Sequence, residues 1–168
     1  MKEIGIRDIK ISAPELFDGC WALVTAGDEK AFNSMTISWG ALGEIWGKDA
    51  AFVFIRHNRY TYEFIEKNPL FTLSFYDEKY KPALGKIFGA ASGRDIDKAK
   101  ESGFTPLPVD GAVTYKQAKY TAVCRVMASQ DIEESSFIDG GLGQWYDGSP
   151  IHKMYISEII KVYENEAG

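Results

Sequence analysis

The sequence predicts a mainly β domain, a closed β-barrel with a few helices inserted, rather than an alternating βαβ sheet. Six short segments alternate in polarity or run apolar at strand length, whereas only three stretches shift to a helical period. Many short strands with few helices between them favour a barrel. Aromatic residues make up 14% of the chain, with ten Phe, nine Tyr and four Trp, enough to fill a β-rich core or to line the pocket of a flat ligand.

Each element follows from local signals. Residues 20–27 (CWALVTAG) read as a strand ended by Gly27-Asp28, and residues 33–39 (NSMTISW) as the next, closed by a turn at Gly40. Residues 50–56 (AAFVFIR) form a compact β-rich run. The period then changes. Tyr60, Phe64 and Ile65 share one helical face, Asn58 is placed to cap the helix start, and Asn68-Pro69 stops it. Residues 71–75 (FTLSF) are a strand and residues 81–88 a short helix. Residues 92–103 (SGRDIDKAKESG) carry acids early, lysines later and Gly103 as a stop, which predicts a second well-marked helix. Residues 119–128 and 152–163 alternate as strands.

The totals bound the function. At 168 residues with 45% hydrophobic and 26% charged residues, the chain fits a single domain over 1–168 with a substantial core. A net charge of −5 argues against a broad nucleic-acid surface, so any phosphate site must be a local patch. Cys20 and Cys124 lack CxxC spacing and read as buried thiols in a reducing compartment. The charged start MKEIGIRDIK predicts neither a signal peptide nor a membrane span, which makes the cytoplasm the default location. Metal-ligand spacing and a serine nucleophile elbow are both lacking, so no metal is expected.

Three places carry the types of residue that chemistry needs. In NSMTISWGALGEIW (residues 33–46), Asn33, Ser34, Thr36 and Ser38 are hydrogen-bonding groups in an apolar strand. Such groups must be satisfied, and a planar ligand with a polar edge would do so. In RHNRYT (residues 56–61), Arg56 and Arg59 stand with Tyr60 and Thr61 before a helix. In SGRDIDK (residues 92–98), Ser92, Gly93, Arg94 and Lys98 surround a second helix start. Helix starts attract anions through free N–H groups, arginine grips phosphate bidentately and lysine adds a point charge. Together these features predict one phosphate held between two helix starts in a net acidic chain. Taken singly, each arginine reads as solvated surface charge, and Trp39 and Trp46 as core; it is their co-occurrence that points to a ligand.

These three motifs, in this order and over roughly residues 15 to 162, resemble the flavin reductase-like family, close to its flavoredoxin branch. That resemblance implies an FMN-binding split barrel, a Greek-key-like six-stranded form of the barrel. It implies that Asn33, Met35, Thr36, Ser38 and Trp39 run along the flavin ring. Arg56, Arg59, Tyr60, Thr61, Ser92, Gly93, Arg94 and Lys98 would hold the FMN phosphate. It further implies hydride transfer from NAD(P)H, onward electron delivery, and a homodimer with the flavin near the subunit interface. Relatives often carry a histidine at the start of the last strand, near the flavin. His152 stands there, although Pro150-Ile151 precedes it and Ser157 replaces a common glycine. An imidazole in that position would stabilise reduced flavin, which makes His152 the catalytic candidate. His57 is expected to be an exposed neighbour.

The loop FIDGGLGQWYDGSP (residues 137–150) lacks the strand and helix context of a dinucleotide fingerprint, and its aromatic content suggests a flap or a dimer contact. Three other functions fit the residues: an electron carrier with bound FMN and no NAD(P)H activity, a barrel that binds another ligand, and a flavin-using oxidase of a small substrate.

Overall fold

The computed structural model describes residues 1–146 and 148–165. Ten strands form. They are β1 (Lys2–Ile4), β2 (Ala22–Gly27), β3 (Phe32–Ile37), β4 (Gly40–Ile45), β5 (Lys48–Arg56), β6 (Leu70–Phe75), β7 (Pro106–Val109), β8 (Ala112–Tyr115), β9 (Tyr120–Asp131) and β10 (His152–Glu164). Helix α1 spans Tyr60–Lys67. Helix α2 (Lys81–Ala83) runs on into a wide π turn over Leu84–Ala90, and α3 spans Lys98–Ser102.

Eight strands pair antiparallel in the order β3-β2-β6-β9-β10-β5-β4, with β1 beside the far end of β10, while β7 and β8 make a separate hairpin. The sheet is therefore not closed, against the closed barrel expected from strand number alone, and it has eight strands rather than six. The reason lies in two residues. Strand β3 ends at Ile37 and β4 begins at Gly40, yet they occupy opposite ends of the ladder. The three backbone steps from Ile37 to Gly40 reach only about 10 Å, so the sheet must roll until its ends nearly meet. The gap is left at Ser38-Trp39, and that gap is the split of a split barrel.

Two apolar clusters hold the roll. Ala22, Val24 and Ala26 of β2 face the interior with Phe17, Met35, Ile55, Phe71, Leu73, Phe75 and Tyr155. Leu23 faces the other way, against Leu84, Phe88, Phe104 and Tyr115. β2 is buried on both faces, so its sequence reads as one apolar run. The hydroxyls on that second face satisfy one another: Thr25 with Ser34 at 2.9 Å, Ser34 with Tyr115 at 2.8 Å, and Ser74 with Thr114 at 2.8 Å.

Local predictions hold unevenly. Asn68 ends α1, and Gly103, in the left-handed region with φ 69°, ends α3. Asn58 does not cap α1: the cap position is Arg59, and Asn58 instead offers its carbonyl to Arg94. The second helix starts later than expected, at Lys98. Asp97 caps it by accepting from the Lys100 N–H at 3.1 Å, and Ser92–Asp95 form a turn before it. Strand β4 replaces a simple turn at Gly40; its glycines and half-exposed pattern conceal it. Cys124 is buried, whereas Cys20 is partly exposed, and both are free. Among the described residues no helix is long and apolar enough to cross a membrane, and no group of three or more His, Cys, Asp or Glu could hold a metal.

Candidate functional site

Two cavities open beside the split and share Met35 and Arg59. The larger, of about 240 Å³, runs along Met35–Trp39 and is walled by Phe54, Arg56 and His152. The smaller, of about 70 Å³, lies between the start of α1 and the 90–93 turn, lined among others by Asn33, Thr61, Ser92, Gly93 and Lys98.

The smaller cavity is built from interlocked side chains. Asn33, buried on β3, donates to the Thr61 hydroxyl oxygen at 2.7 Å. Thr61 thus keeps its own O–H proton to donate. The Ser92 hydroxyl accepts the Arg94 N–H at 3.2 Å and is likewise left as a donor. The Lys98 ammonium, buried, donates to the carbonyls of Ser34 at 2.9 Å and Phe88 at 3.0 Å. An ammonium has three protons, so one remains for an occupant of this cavity or of the adjoining one of about 410 Å³ that Lys98 lines together with Asp97. Burial, reinforced by the Arg59 charge, lowers the Lys98 pKa to about 8. No carboxylate lines this cavity. Gly93 completes it: a Cβ there would fall 1.9 Å from Asn33 Oδ1, so any side chain would push Asn33 off Thr61.

The larger cleft is aromatic and cationic. His152 and Arg56 are directly paired across β10 and β5. His152 Nδ1 meets the Tyr146 hydroxyl at 3.2 Å, and its ring lies 5.2 Å from Trp39. Trp39 in turn meets Trp145 edge to face at 5.9 Å. Arg56 donates to the Trp145 carbonyl at 3.2 Å and its guanidinium sits 5.5 Å from the Tyr146 ring. The 137–150 loop, apart from residue 147, is therefore strapped across the cleft by Arg56 and His152. Burial, then the charges of Arg56 and Arg59, lower the His152 pKa to about 4. The imidazole is neutral at neutral pH.

The structure distributes the sequence candidates between these cavities. Met35, Thr36, Ser38, Trp39, Arg56 and His152 line the larger. Asn33, Tyr60, Thr61, Ser92, Gly93 and Lys98 line the smaller, and Arg59 reaches both. Arg94 lines neither; it pairs with Glu63 and stacks 4.7 Å over Tyr60. The hydrogen-bonding groups of the 33–38 strand are largely satisfied by protein. Ser34 joins the buried hydroxyl row, Thr36 donates to the Leu84 carbonyl at 2.6 Å, and Asn33 donates to Thr61. Only Ser38 is left exposed at the gap. His57 is exposed, held by Asp131 at 2.7 Å. Trp39 and Trp46, 40% and 61% exposed, are not core. Sequence reasoning missed Tyr146 and Trp145 as cleft residues; the aromatic pair in an otherwise glycine-rich loop was the available signal.

The split-barrel sheet and its paired cavities define the class, and the chain belongs to the flavin reductase like domain family, whose model matches residues 16–168. No curated protein sequence matches it. Solved structures share the fold. The flavoredoxin of Methanosarcina acetivorans superposes with a TM-score of 0.69 at 21% identity, over 95% of this chain and 76% of that one. An FMN-binding protein of Thermus thermophilus, solved with bound p-hydroxybenzaldehyde, gives 0.68 at 18% identity, over 99% and 83%. The styrene monooxygenase flavin reductase of Pseudomonas putida S12 gives 0.64 at 14%, over 88% and 80%.

Proposed function

We propose that the chain is an FMN-binding flavoprotein oxidoreductase, a homodimer that takes a hydride from NAD(P)H and delivers electrons onward. The observation that carries this reading is the smaller cavity. Thr61, Ser92, Lys98 and Arg59 all present donors there, and no acid opposes them. A cavity with these donors and no carboxylate in its lining suits a phosphate. The larger cleft, joined to it at Met35 and Arg59, has the flat strand wall that a ring needs.

When bound, FMN supplies the hydride- and electron-accepting chemistry. The residues supply position and electrostatics. Lys98, Thr61 and Ser92 fix the phosphate end, which sets the ring's depth in the cleft. The Met35–Trp39 backbone gives the ring an edge to lie along. His152 enters neutral and lines the cleft, its Nδ1 held 3.2 Å from the Tyr146 hydroxyl. Arg56 and Arg59 favour charge that builds up on an occupant.

An anaerobic absorbance experiment tests this. The protein binds FMN with a shifted flavin spectrum, and NADH or NADPH bleaches it within seconds. A colourless protein that takes up no FMN overturns the cofactor assignment. A second reading, an electron carrier without NAD(P)H activity, is favoured by the Trp39–Trp145 pair, which narrows access for a second ring. Flavin that binds but stays oxidised with both nicotinamides, and is reduced by a donor protein, selects that reading.

A further inference from the structure

The cavity of about 410 Å³ behind the phosphate-type site has a floor with two unused donors. The two cavities share Asn33, Gly93 and Lys98, but this one is lined by the β2–β3 turn and α3 rather than by Met35–Trp39. Its rim is exposed and carries one charge of each sign, Lys30 and Asp97. Phe32, Ile96, Ala99 and Pro106 give it apolar walls. Its floor is polar and buried: Ser34 is 1% exposed, Tyr115 1% and Lys98 7%. Lys98 gives two of its three ammonium protons to the Ser34 and Phe88 carbonyls, while Asp97 accepts from the Lys100 N–H. The second donor follows from counting protons. The hydroxyls of Thr25, Ser34 and Tyr115 share two hydrogen bonds, so one of their three protons is left over. Thr25 is fully buried and lies outside the cavity, so it donates to Ser34, Ser34 donates to Tyr115, and the Tyr115 proton remains. Burial raises the Tyr115 pKa to about 12, so that proton stays in place.

We propose that this cavity is a second ligand site, for a small monocarboxylate with an apolar body, and that its occupant opposes ligand binding in the phosphate-type cavity through the shared Lys98. The carboxylate accepts from the Lys98 ammonium and the Tyr115 hydroxyl, one oxygen to each, and both donors are already desolvated. The rim charges cancel and the floor holds a single cation, which matches one negative charge; the Asp97 carboxylate at the rim disfavours a dianion. The apolar walls cover the rest of the ligand. Opposition follows because only one Lys98 proton remains, and two anions on either side of it repel each other. The coupling is reciprocal: each ligand weakens the other by the same factor. The site itself rests on the floor residues alone, whereas its opposition to FMN rests also on the flavin reading.

The test is calorimetric titration of the full chain, without and with bound FMN, using 3-phenylpropanoate and its neutral amide at pH 7. The carboxylate is expected to bind about tenfold more tightly than the amide, the scale of one charged hydrogen bond. Tyr115→Phe is expected to weaken it about fivefold while FMN affinity stays within about threefold. Ala31→Phe, at the exposed rim and outside the core, is expected to block the carboxylate without lowering the melting temperature. Bound FMN is expected to weaken the carboxylate about fivefold, and saturating carboxylate to weaken FMN equally. Equal binding of acid and amide overturns the proposal. So does an acid preference that survives both variants, which would place the anion in the arginine-lined cleft. FAD binding about tenfold tighter than FMN also overturns it, since the cavity would then hold the second half of the cofactor. Carboxylate binding that leaves FMN affinity unchanged overturns the opposition. If the protein binds no FMN, the acid-against-amide comparison and the two variants still decide the site, and only the flavin reading fails.

Discussion

The two cavities lie side by side and are built in opposite ways. The smaller is fixed by buried groups that each have a partner: Asn33 on Thr61, Lys98 on two carbonyls, Gly93 against Asn33. The larger is closed by a loop that touches it through exposed Trp145, buried Tyr146 and two 3.2 Å contacts, Arg56 to the Trp145 carbonyl and His152 with the Tyr146 hydroxyl. The difference teaches where each task is placed. The end proposed to hold the phosphate is built from buried groups that already have partners. An end through which reactants pass is lined by groups whose contacts are cheap to break.

The sharpest way to break this comparison is at the rigid end. Thr61→Ala combined with Lys98→Ala removes two donors aimed at the phosphate. Charged hydrogen bonds contribute roughly 1.5–3 kcal/mol each, so FMN affinity should fall by about 4 kcal/mol in a fluorescence titration. Riboflavin affinity should be unchanged. Equal losses for both ligands would move these residues away from the phosphate.

Gly93→Ala comes next. Its Cβ must displace Asn33, a steric change of the size that typically costs about 1–3 kcal/mol. Loss of thermal stability together with FMN affinity is expected, readable by calorimetric melting. The same change at Gly143 in the loop, where a Cβ meets nothing within 4 Å, should have little effect.

The pH dependence separates the two ends further. Lys98 in the free protein titrates at about 8, and a bound phosphate raises it. FMN affinity is therefore retained below pH 8 and lost as pH rises through it, while Lys98→Met makes the curve flat. His152 acts in the acid range. Its folded pKa of about 4 lies below the ordinary 6.5. The unfolded chain thus binds more protons between those values, and stability present above pH 6.5 is lost as pH falls toward 4. With its partial exposure discounted, the expected loss is about 1 kcal/mol, and it should vanish in His152→Asn. Trp145→Ala, the smallest effect, should leave FMN affinity within about twofold while speeding reduction if the tryptophan pair restricts access.

Much of the rigid end was legible in the sequence because its parts are local motifs. RYT before a helix and SGRDIDK before another bring Thr61, Ser92 and Lys98 within reach of any fold that joins them. The two-faced burial of β2 was legible as an unbroken apolar run. The barrel's split was not, because it depends on β3 and β4 lying at opposite ends of one ladder, which no window of sequence reports. The separation of Arg56 from Arg59 was equally hidden. The two are three residues apart, but Arg56 ends a strand and Arg59 caps a helix, so the chain direction changes between them. The polar strand 33–38 misled in part, since Ser34 and Thr36 are satisfied by Tyr115 and Leu84 rather than by a ligand.

The measurement closest to the central claim compares FMN and riboflavin on the same protein, by fluorescence titration at pH 7. A donor-lined phosphate cavity predicts saturable FMN binding at least a hundredfold tighter than riboflavin, about 2.7 kcal/mol or more. Equal affinity for the two, or no binding of either, would contradict it.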